Sequence, residues 1–331
     1  MVVADLQRLG FQEVDEAHLA TWVAQRTHED IPEWQWSDEK KAFQSGYRSL
    51  SELTFARVRS YGKIYLVYYK GSSTNDYAFM KLKTKKMHTL IQEGILQTIA
   101  RSTLNKYDFK YAIPRVHTFL RHPQWGVGLC LQRIPGSEIL SEYLQSNLQW
   151  NRPSITNDTL FLSILVQLAT YLTILQKEHG MVHGDLKSTN MLLIIPCPVY
   201  SKTVSIDKHT WSFSSTFQII LIDFGFAAIQ KAVTPATKST DLFFLLCTLW
   251  NIPQFRKSLT PAVLEQVRTW LHDGKTDWAK WLEFSANENI EGMYLFTDSA
   301  GFRNTNCQPL SILSDIQRLY PSLVTIQVSS N

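Results

Sequence analysis

Four polar side chains stand out because each lies in a short loop beside an apolar strand. Asp185, Lys187 and Asn190 occur in MVHGDLKSTNMLL, with the spacing D-x-K-x-x-N, and Asp223 follows an apolar run in QIILIDFGFA. Carboxylates accept protons and bind cations, an amide oxygen can bind a cation, and a lysine can offset negative charge. These two loops are therefore the first candidates for a functional site.

The two segments resemble the catalytic loop and the Asp-Phe-Gly metal motif of the eukaryotic-type protein kinase family. The resemblance covers roughly residues 50–250 and is tight at 181–193 and 217–227. Within that family the chain is similar to atypical, divergent Ser/Thr kinases with an H-G-D catalytic loop and a short activation segment, including several kinases of large DNA viruses. The resemblance implies an α+β, bilobal fold with a β-rich N-lobe and an α-helical C-lobe.

The resemblance also implies a role for each residue in moving a phosphoryl group from ATP to a hydroxyl. Asp185 is expected to be the catalytic base, and Lys187 is expected to compensate the charge of the transferred phosphate. Asn190 and Asp223 are expected to share Mg²⁺ as metal ligands. ATP and Mg²⁺ are thus the expected cofactors, and the expected partner is a protein substrate.

The family further uses a strand lysine paired with a helix glutamate to hold the α and β phosphates. Lys81 in AFMKL fits the strand, and Glu93 fits a helix twelve residues later. Glu93 is the only acidic residue between Lys81 and Tyr107, although the interval is short for the family.

The remaining nucleotide contacts come from positions that match the family less closely. Only Gly62 remains of the glycine-rich loop, and Phe79 stands where a small residue usually covers the adenine. Ile64 and Leu192 are expected to sandwich the base. The hinge is expected at 131–134, which adds Gln132 and Ile134 to the cofactor-binding residues.

Three departures from the family bear on regulation and substrate. Gly184 replaces the arginine through which a phosphorylated activation loop organises many relatives, so switching by that route is not expected. An insertion at 196–216 is expected to be a surface excursion, with a role in docking the substrate as the alternative. Asp241 follows Asp223 by only 18 residues, with no Ala-Pro-Glu between them, and resembles the buried aspartate that supports the catalytic loop.

Periodicity and turn residues divide the chain into an N-terminal extension at 1–45, an N-lobe at 46–135 and a C-lobe at 136–331. Three antiparallel strands are predicted between Leu53 and Leu82, then a helix over 88–100 and a hairpin over 113–134. The C-lobe should contain a long helix capped by Asn157 and Asp158 that ends near Gly180. A later helix should begin at Thr260-Pro261 and stop at Gly274.

Composition excludes several classes of protein. The 331 residues are 44% hydrophobic and 12% aromatic, which is typical of a folded chain rather than a disordered one. A net charge of +4 is too small to indicate a nucleic-acid partner. Four scattered cysteines favour buried thiols in a reducing compartment. Residues 1–10 are not expected to form a signal peptide, because Asp5 and Arg8 interrupt the apolar stretch that one needs. No segment is expected to span a membrane, since no window approaches the eighteen or so apolar residues required. A cytoplasmic or nuclear location is expected.

Three functions remain open on the sequence. The first is a Ser/Thr protein kinase, which Lys187 favours because that lysine is characteristic of Ser/Thr kinases. The second is a kinase of small molecules such as sugars or aminoglycosides, which the missing peptide platform favours. The third is a pseudokinase that serves as a binding module, for which the degenerate glycine loop is the only support.

Overall fold

The computed structural model describes residues 12–13, 47–53, 63–69, 77–83, 87–122, 126–147, 152–195, 199–230, 233–272 and 304–328. The chain forms two compact units. The first contains residues 1–102 and 113–135, and the second contains residues 103–112 and 136–331.

The first unit is built on a six-stranded antiparallel sheet. Its strands are β1 (Gln12–Glu13), β2 (Tyr47–Leu53), β3 (Lys63–Tyr69), β4 (Tyr77–Lys83), β5 (Val116–His122) and β6 (Gly126–Gln132), in the order β1-β5-β6-β4-β3-β2. The predicted three-stranded meander and the later hairpin are confirmed by the β2–β3, β3–β4 and β5–β6 pairings. The first strand lies earlier than predicted, because β2 ends at Leu53 instead of beginning there.

Helix α1 (Met87–Lys106) follows the meander and exceeds the predicted helix by six residues at its C-terminal end. Its apolar stripe is buried as expected, with Leu90, Ile95, Leu96 and Ile99 at most 2% exposed. Residues 93–97 are all buried, so the middle of the helix is enclosed on more than one face.

The second unit is organised around one long helix, α3 (Ile155–His179), which follows a shorter helix α2 (Leu140–Asn147). The predicted cap of α3 was wrong, because Ser154 is the N-cap and its hydroxyl accepts a hydrogen bond from the Asn157 backbone N–H. Asp158 bonds instead to Thr260 and Tyr320. The predicted end is confirmed, since Gly180 caps the helix with a φ of 62°.

Helix α3 also corrects the expectation that no segment could span a membrane. Its most apolar 18-residue window has a mean hydropathy of 1.6, which is enough by length and composition. However, 89% of that window is buried inside the protein. The helix is apolar on all sides because it runs through the core of its unit.

The described residues of the second unit contain four further helices: α4 (Pro235–Trp250), α5 (Pro253–Ser258), α6 (Pro261–Leu271) and α7 (Pro309–Leu319). Helix α6 starts as predicted, with Thr260 at the N-cap and Pro261 in the first turn. It ends at Leu271, and the predicted stop at Gly274 lies outside the described residues. The second unit also contains short strands, which are β7 (Ser137–Ile139), β8 (Met181–Val182), β9 (Met191–Ile194), β12 (Gln218–Leu221) and β13 (Ala228–Ile229).

The insertion is not the surface excursion that the sequence predicts. Strands β10 (Tyr200–Ile206) and β11 (His209–Ser215) form a hairpin, and strand β14 (Val324–Val328) near the end of the chain pairs with β11. The Trp211 side chain is 0% exposed and its indole N–H donates to the Thr170 hydroxyl on α3. One face of this small sheet is therefore part of the core. Alternating residues of the hairpin point inward and outward, so an insertion that looks polar in sequence still buries a full apolar row.

Candidate active site

The loop between β8 and β9 gathers three of the predicted site residues around the Asp185 carboxylate. Lys187 Nζ lies 2.8 Å from Asp185 Oδ2 and donates to Oδ1 at 3.0 Å. The Asn190 amide donates to the Asp185 backbone oxygen at 2.9 Å and to Oδ2 at 2.8 Å. A 3₁₀ turn at Ser188–Asn190 bends the chain back and makes this closure possible. Asp185 thus sits between a cation and an amide donor.

Asp185 is buried, with an exposed fraction of 4%. Burial raises the pKa of this carboxyl above the usual aspartate range, while the Lys187 ammonium opposes that shift. The negative charge of Asp223 raises the pKa of Asp185 further.

Asp223 reaches the same place through strand pairing. Strands β9 and β12 are antiparallel, with Met191 opposite Leu221, and the Ile222 N–H donates to the Asn190 carbonyl oxygen at 3.1 Å. Asp223 itself adopts a left-handed backbone conformation with a φ of 63°, and its carboxylate accepts a hydrogen bond from the Gly225 N–H at 3.3 Å. A non-glycine residue in this region is under strain, which concentrates at functional sites.

Asp241 on α4 supports the loop that carries Asp185 through hydrogen bonds to its backbone. Its carboxylate is 1% exposed and accepts hydrogen bonds from the backbone N–H groups of His183 and Gly184, each at 2.8 Å. Burial raises the pKa of Asp241, and the charge and hydrogen bonds from the loop oppose this shift. The carboxylate thus satisfies two buried donors immediately before Asp185, which holds the loop in one conformation.

The sequence analysis missed one residue of this site. The imidazole of His183 contacts the Ile222 carbonyl oxygen through Nε2 at 3.1 Å, and its ring centroid lies 4.9 Å from that of Phe224. His183 thereby links the Asp185 loop to the residues on both sides of Asp223. The signal for His183 in the sequence is its position two residues before Asp185.

The first unit contains the predicted ion pair. Lys81 Nζ on β4 donates to both carboxylate oxygens of Glu93 on α1, at 2.9 and 3.0 Å. The Glu93 side chain is 4% exposed and the Lys81 side chain is 24% exposed. A buried carboxylate that grips a more exposed lysine fixes the direction of the ammonium group.

The other predicted nucleotide contacts have a weaker structural basis. Gly62 lies outside the described residues, and Ile64 is the β3 partner of Lys81 in the sheet. The Gln132 backbone N–H donates to the Arg115 carbonyl oxygen at 2.7 Å, so this amide is already used within its own unit. Ile134 is buried in the first unit, whereas the half-buried Leu192 belongs to β9 of the second unit.

The oxygen donors of the second unit fit a magnesium ion better than a transition metal. The described residues contain no group of three or more His, Cys, Asp and Glu side chains that could hold a metal ion. Magnesium needs only one or two carboxylates when phosphates and waters supply its other ligands. Asp223 and the Asn190 amide oxygen are hard donors of this kind.

No family model matches this chain, and no curated protein matches it. Kinase PK-1 of the Cydia pomonella granulovirus aligns at 16% identity and a TM-score of 0.37, over 58% of this chain and 56% of that one. The BubR1 kinase domain aligns at 11% identity and a TM-score of 0.39, over 66% and 62%. The kinase domain of PF14_0431 aligns at 17% identity and a TM-score of 0.39, over 74% and 80%.

This chain therefore spans less than two thirds of the length of the first two kinases that it resembles. Its own order of elements has a β-rich first unit with a lysine–glutamate pair, followed by a helical second unit with two polar loops. This is an α+β, protein-kinase-like fold.

Proposed function

We propose that this chain is an ATP- and Mg²⁺-dependent phosphotransferase that acts as a Ser/Thr protein kinase. The observation that carries the proposal is the arrangement around Asp185, which has Lys187 and Asn190 in direct contact, while Asp223 directly follows Ile222, whose N–H donates to the Asn190 carbonyl oxygen. A carboxylate, a cation and two metal-type oxygen donors in one place are the groups that phosphoryl transfer needs.

In the proposed reaction, the oxygen of a substrate hydroxyl attacks the γ-phosphorus of ATP. The bond from that phosphorus to the β-phosphate oxygen breaks, ADP leaves, and the hydroxyl proton passes to Asp185. Lys187 offsets the charge of the transferred group, as positioned cations do in such transition states. Asn190 and Asp223 would hold Mg²⁺, which neutralises the phosphate oxygens when bound.

Lys81 is proposed to bind the α and β phosphates, with Glu93 fixing its direction. Gly62, Ile64, Gln132, Ile134 and Leu192 remain proposed nucleotide contacts. The Ser/Thr preference rests on Lys187, which contacts the base directly and would meet the phosphate that an aliphatic hydroxyl accepts. The proposed partner is a protein, with no specific nucleic acid and no membrane, in the cytoplasm or nucleus.

A small-molecule kinase is the second candidate, and one observation favours it. Helix α4 begins at Pro235, only twelve residues after Asp223, so little chain is left between them for a peptide platform. A sugar or aminoglycoside hydroxyl needs no such platform.

The test compares the wild type with Asp185→Asn and with Asp207→Asn as a matched control. Asp207 is an exposed turn aspartate, paired with Lys177, that asparagine can replace at its positive φ. With labelled ATP and Mg²⁺, we expect phosphate on Ser or Thr of the protein itself or of a generic basic protein. Asp185→Asn should lose transfer by at least about 10²-fold, and Asp207→Asn should retain it.

Each other outcome contradicts a defined part of the proposal. Label only on sugars or aminoglycosides would replace the protein kinase with the second candidate. Absence of thermal stabilisation by millimolar ATP and Mg²⁺ would favour a binding module. Equal activity of Asp185→Asn and wild type would remove Asp185 from the mechanism.

A further inference from the structure

A long connection joins β9 and β12, the two strands next to the proposed metal ligands Asn190 and Asp223. Asn190 immediately precedes β9 and Asp223 follows β12 by two residues, yet 23 residues separate the two strands. In a tight hairpin the turn sets the register, whereas a connection of this length cannot. A slip of two residues would keep every side chain on its face and still move Asp223 by about 6.6 Å. Another part of the fold must therefore fix β12 along its own axis.

Helix α3 adds a constraint to the contacts of Ile222 with Asn190 and His183, through two side chains one turn apart. Gln167 accepts the Ile219 backbone N–H on its Oε1 at 3.1 Å, and the Tyr171 hydroxyl donates to the Ile219 carbonyl oxygen at 3.3 Å. Both polar groups of one β12 residue thus bond to the helix. The Leu221 N–H adds a third bond, to the Ala112 carbonyl oxygen at 2.8 Å. Moving β12 by even one residue would break all three bonds.

Gln167 also holds both ends of the inserted hairpin. Its amide nitrogen donates to the Ser215 hydroxyl and to the Phe217 carbonyl oxygen, each at 3.2 Å, and its oxygen accepts the Tyr200 hydroxyl at 2.7 Å. The side chain is 0% exposed, and its two donors and two acceptor sites are all used. A fully satisfied buried amide of this kind specifies one arrangement of its neighbours.

We propose that Gln167 and Tyr171 are positioning residues that fix β12 lengthwise and so hold Asp223 beside Asn190 and Asp185. Neither residue touches the substrate or the proposed metal ion. The inference deepens the proposed function and rests on it for its catalytic meaning. It assigns the register of the two strands to the central helix instead of to the connection between them.

The test uses Mn²⁺ as a spectroscopic probe, with binding to the full chain measured by electron paramagnetic resonance in the presence of ADP. Gln167→Met keeps the length of the side chain and removes its hydrogen bonds. Gln176→Met is the matched control, because Gln176 is a buried glutamine on the same helix that donates to the Lys238 carbonyl oxygen instead. We expect Gln167→Met to weaken Mn²⁺ binding about tenfold, Tyr171→Phe to weaken it less, and Gln176→Met to leave it unchanged.

The same three variants are compared by amide hydrogen exchange over residues 218–223, which needs neither metal nor activity. Faster exchange in Gln167→Met than in Gln176→Met is expected, and equal exchange would overturn the inference. If the wild type binds Mn²⁺ and Gln167→Met binds it as tightly as Gln176→Met, the positioning role is also wrong. A wild type that binds no Mn²⁺ with ADP contradicts the proposed function, and the exchange result then decides the placement of β12 by itself. If Gln167→Met does not fold, Tyr171→Phe carries both measurements because it retains the ring.

Discussion

The chemistry proposed for this site depends on a carboxylate, Asp185, that the fold makes harder to ionise. Asp185 is buried beside Asp223, and both effects raise its pKa, while Lys187 lowers it. A base must be ionised to accept a proton, so the rate of transfer falls as the pH drops below that pKa. The raised pKa therefore places the acid limb of the pH–rate profile above the range of an exposed aspartate.

Lys187→Met should move this acid limb to higher pH. The substitution removes the positive charge that lowers the pKa of Asp185, so the carboxylate becomes protonated at a higher pH than in the wild type. The profile of kcat/KM against pH measures the shift separately from the general loss of rate. Lys177→Met, which removes a lysine paired with the exposed Asp207, should leave the limb in place. A limb that stays fixed in Lys187→Met would show that Asp185 does not control it.

Steric contacts at position 184 explain why the Asp185 loop has a glycine where the kinase family has an arginine. Its φ is 76°, and a Cβ at this position would lie 2.3 Å from the Phe226 carbonyl oxygen. Any side chain would have to displace the backbone that follows Asp223. The conformation of this backbone therefore requires a glycine at position 184. The absence of the family's arginine has this structural cause, in addition to its consequence for regulation.

Gly184→Ala should destabilise the fold by about 3–5 kcal/mol, from the left-handed conformation and the overlap together. Gly136→Ala is the control, since Gly136 also has a positive φ of 71° but has nothing within 4 Å of an added Cβ. It should cost only about 1–2 kcal/mol. Chemical denaturation measures both values. Equal losses in the two variants would mean that the contact with Phe226 is easily relieved.

At the scale of elements, the inserted hairpin behaves as a structural part of the second unit. Its inner row includes Val204, Trp211 and Phe213, all at most 5% exposed, and Phe109 stacks against Phe213 with ring centroids 6.5 Å apart. The outer row contains hydroxyl side chains that bond to one another across the strands, such as Thr203 to Ser212 at 2.8 Å. The hairpin therefore has one apolar and one polar face, as a sheet packed on a helix must.

Trp211→Ala should lower the free energy of unfolding by about 3–5 kcal/mol, because it leaves a large cavity against α3 and removes the hydrogen bond from the indole N–H to the Thr170 hydroxyl. Ser205→Ala on the outer row should change it by less than about 0.5 kcal/mol. Thermal and denaturant unfolding measure the difference. If the Trp211→Ala protein were as stable as the wild type, the hairpin would not contribute to the core and would be a surface excursion.

At the scale of the whole molecule, cysteine reactivity reports on the packing of both units. Cys130, Cys247 and Cys307 are each 0% exposed, and burial raises the pKa of the Cys130 and Cys247 thiols. Thiols that are buried and protonated react slowly. We expect no more than one of the four cysteines to react promptly with a disulfide reagent in the native protein, and all four in denaturant. Two or more prompt reactions would contradict the buried positions.

The sequence predicted the elements with strong local signals. Such local signals are the proline at the start of α6, the glycine that ends α3, and the run rich in Tyr, Val and Ile that forms β3. The cap of α3 shows the limit of such signals, because Ser154 caps the helix although Asn157 was predicted. Several polar residues lie close together at this point, and each of them could cap a helix. The Asp158 carboxylate accepts hydrogen bonds from Thr260 and Tyr320, which are more than a hundred residues away in the sequence.

The sequence by itself determined which side chains carry the proposed chemistry, because Asp185, Lys187, Asn190 and Asp223 are set by motifs whose spacing is local. Tertiary structure alone decided how those side chains are held. The bonds of Gln167 and Tyr171 to Ile219, the close approach of Phe226 to Gly184 and the burial of Trp211 join residues far apart in the chain. A single buried glutamine on an apolar helix has no local signature, since its partners exist only once the strands have packed against it.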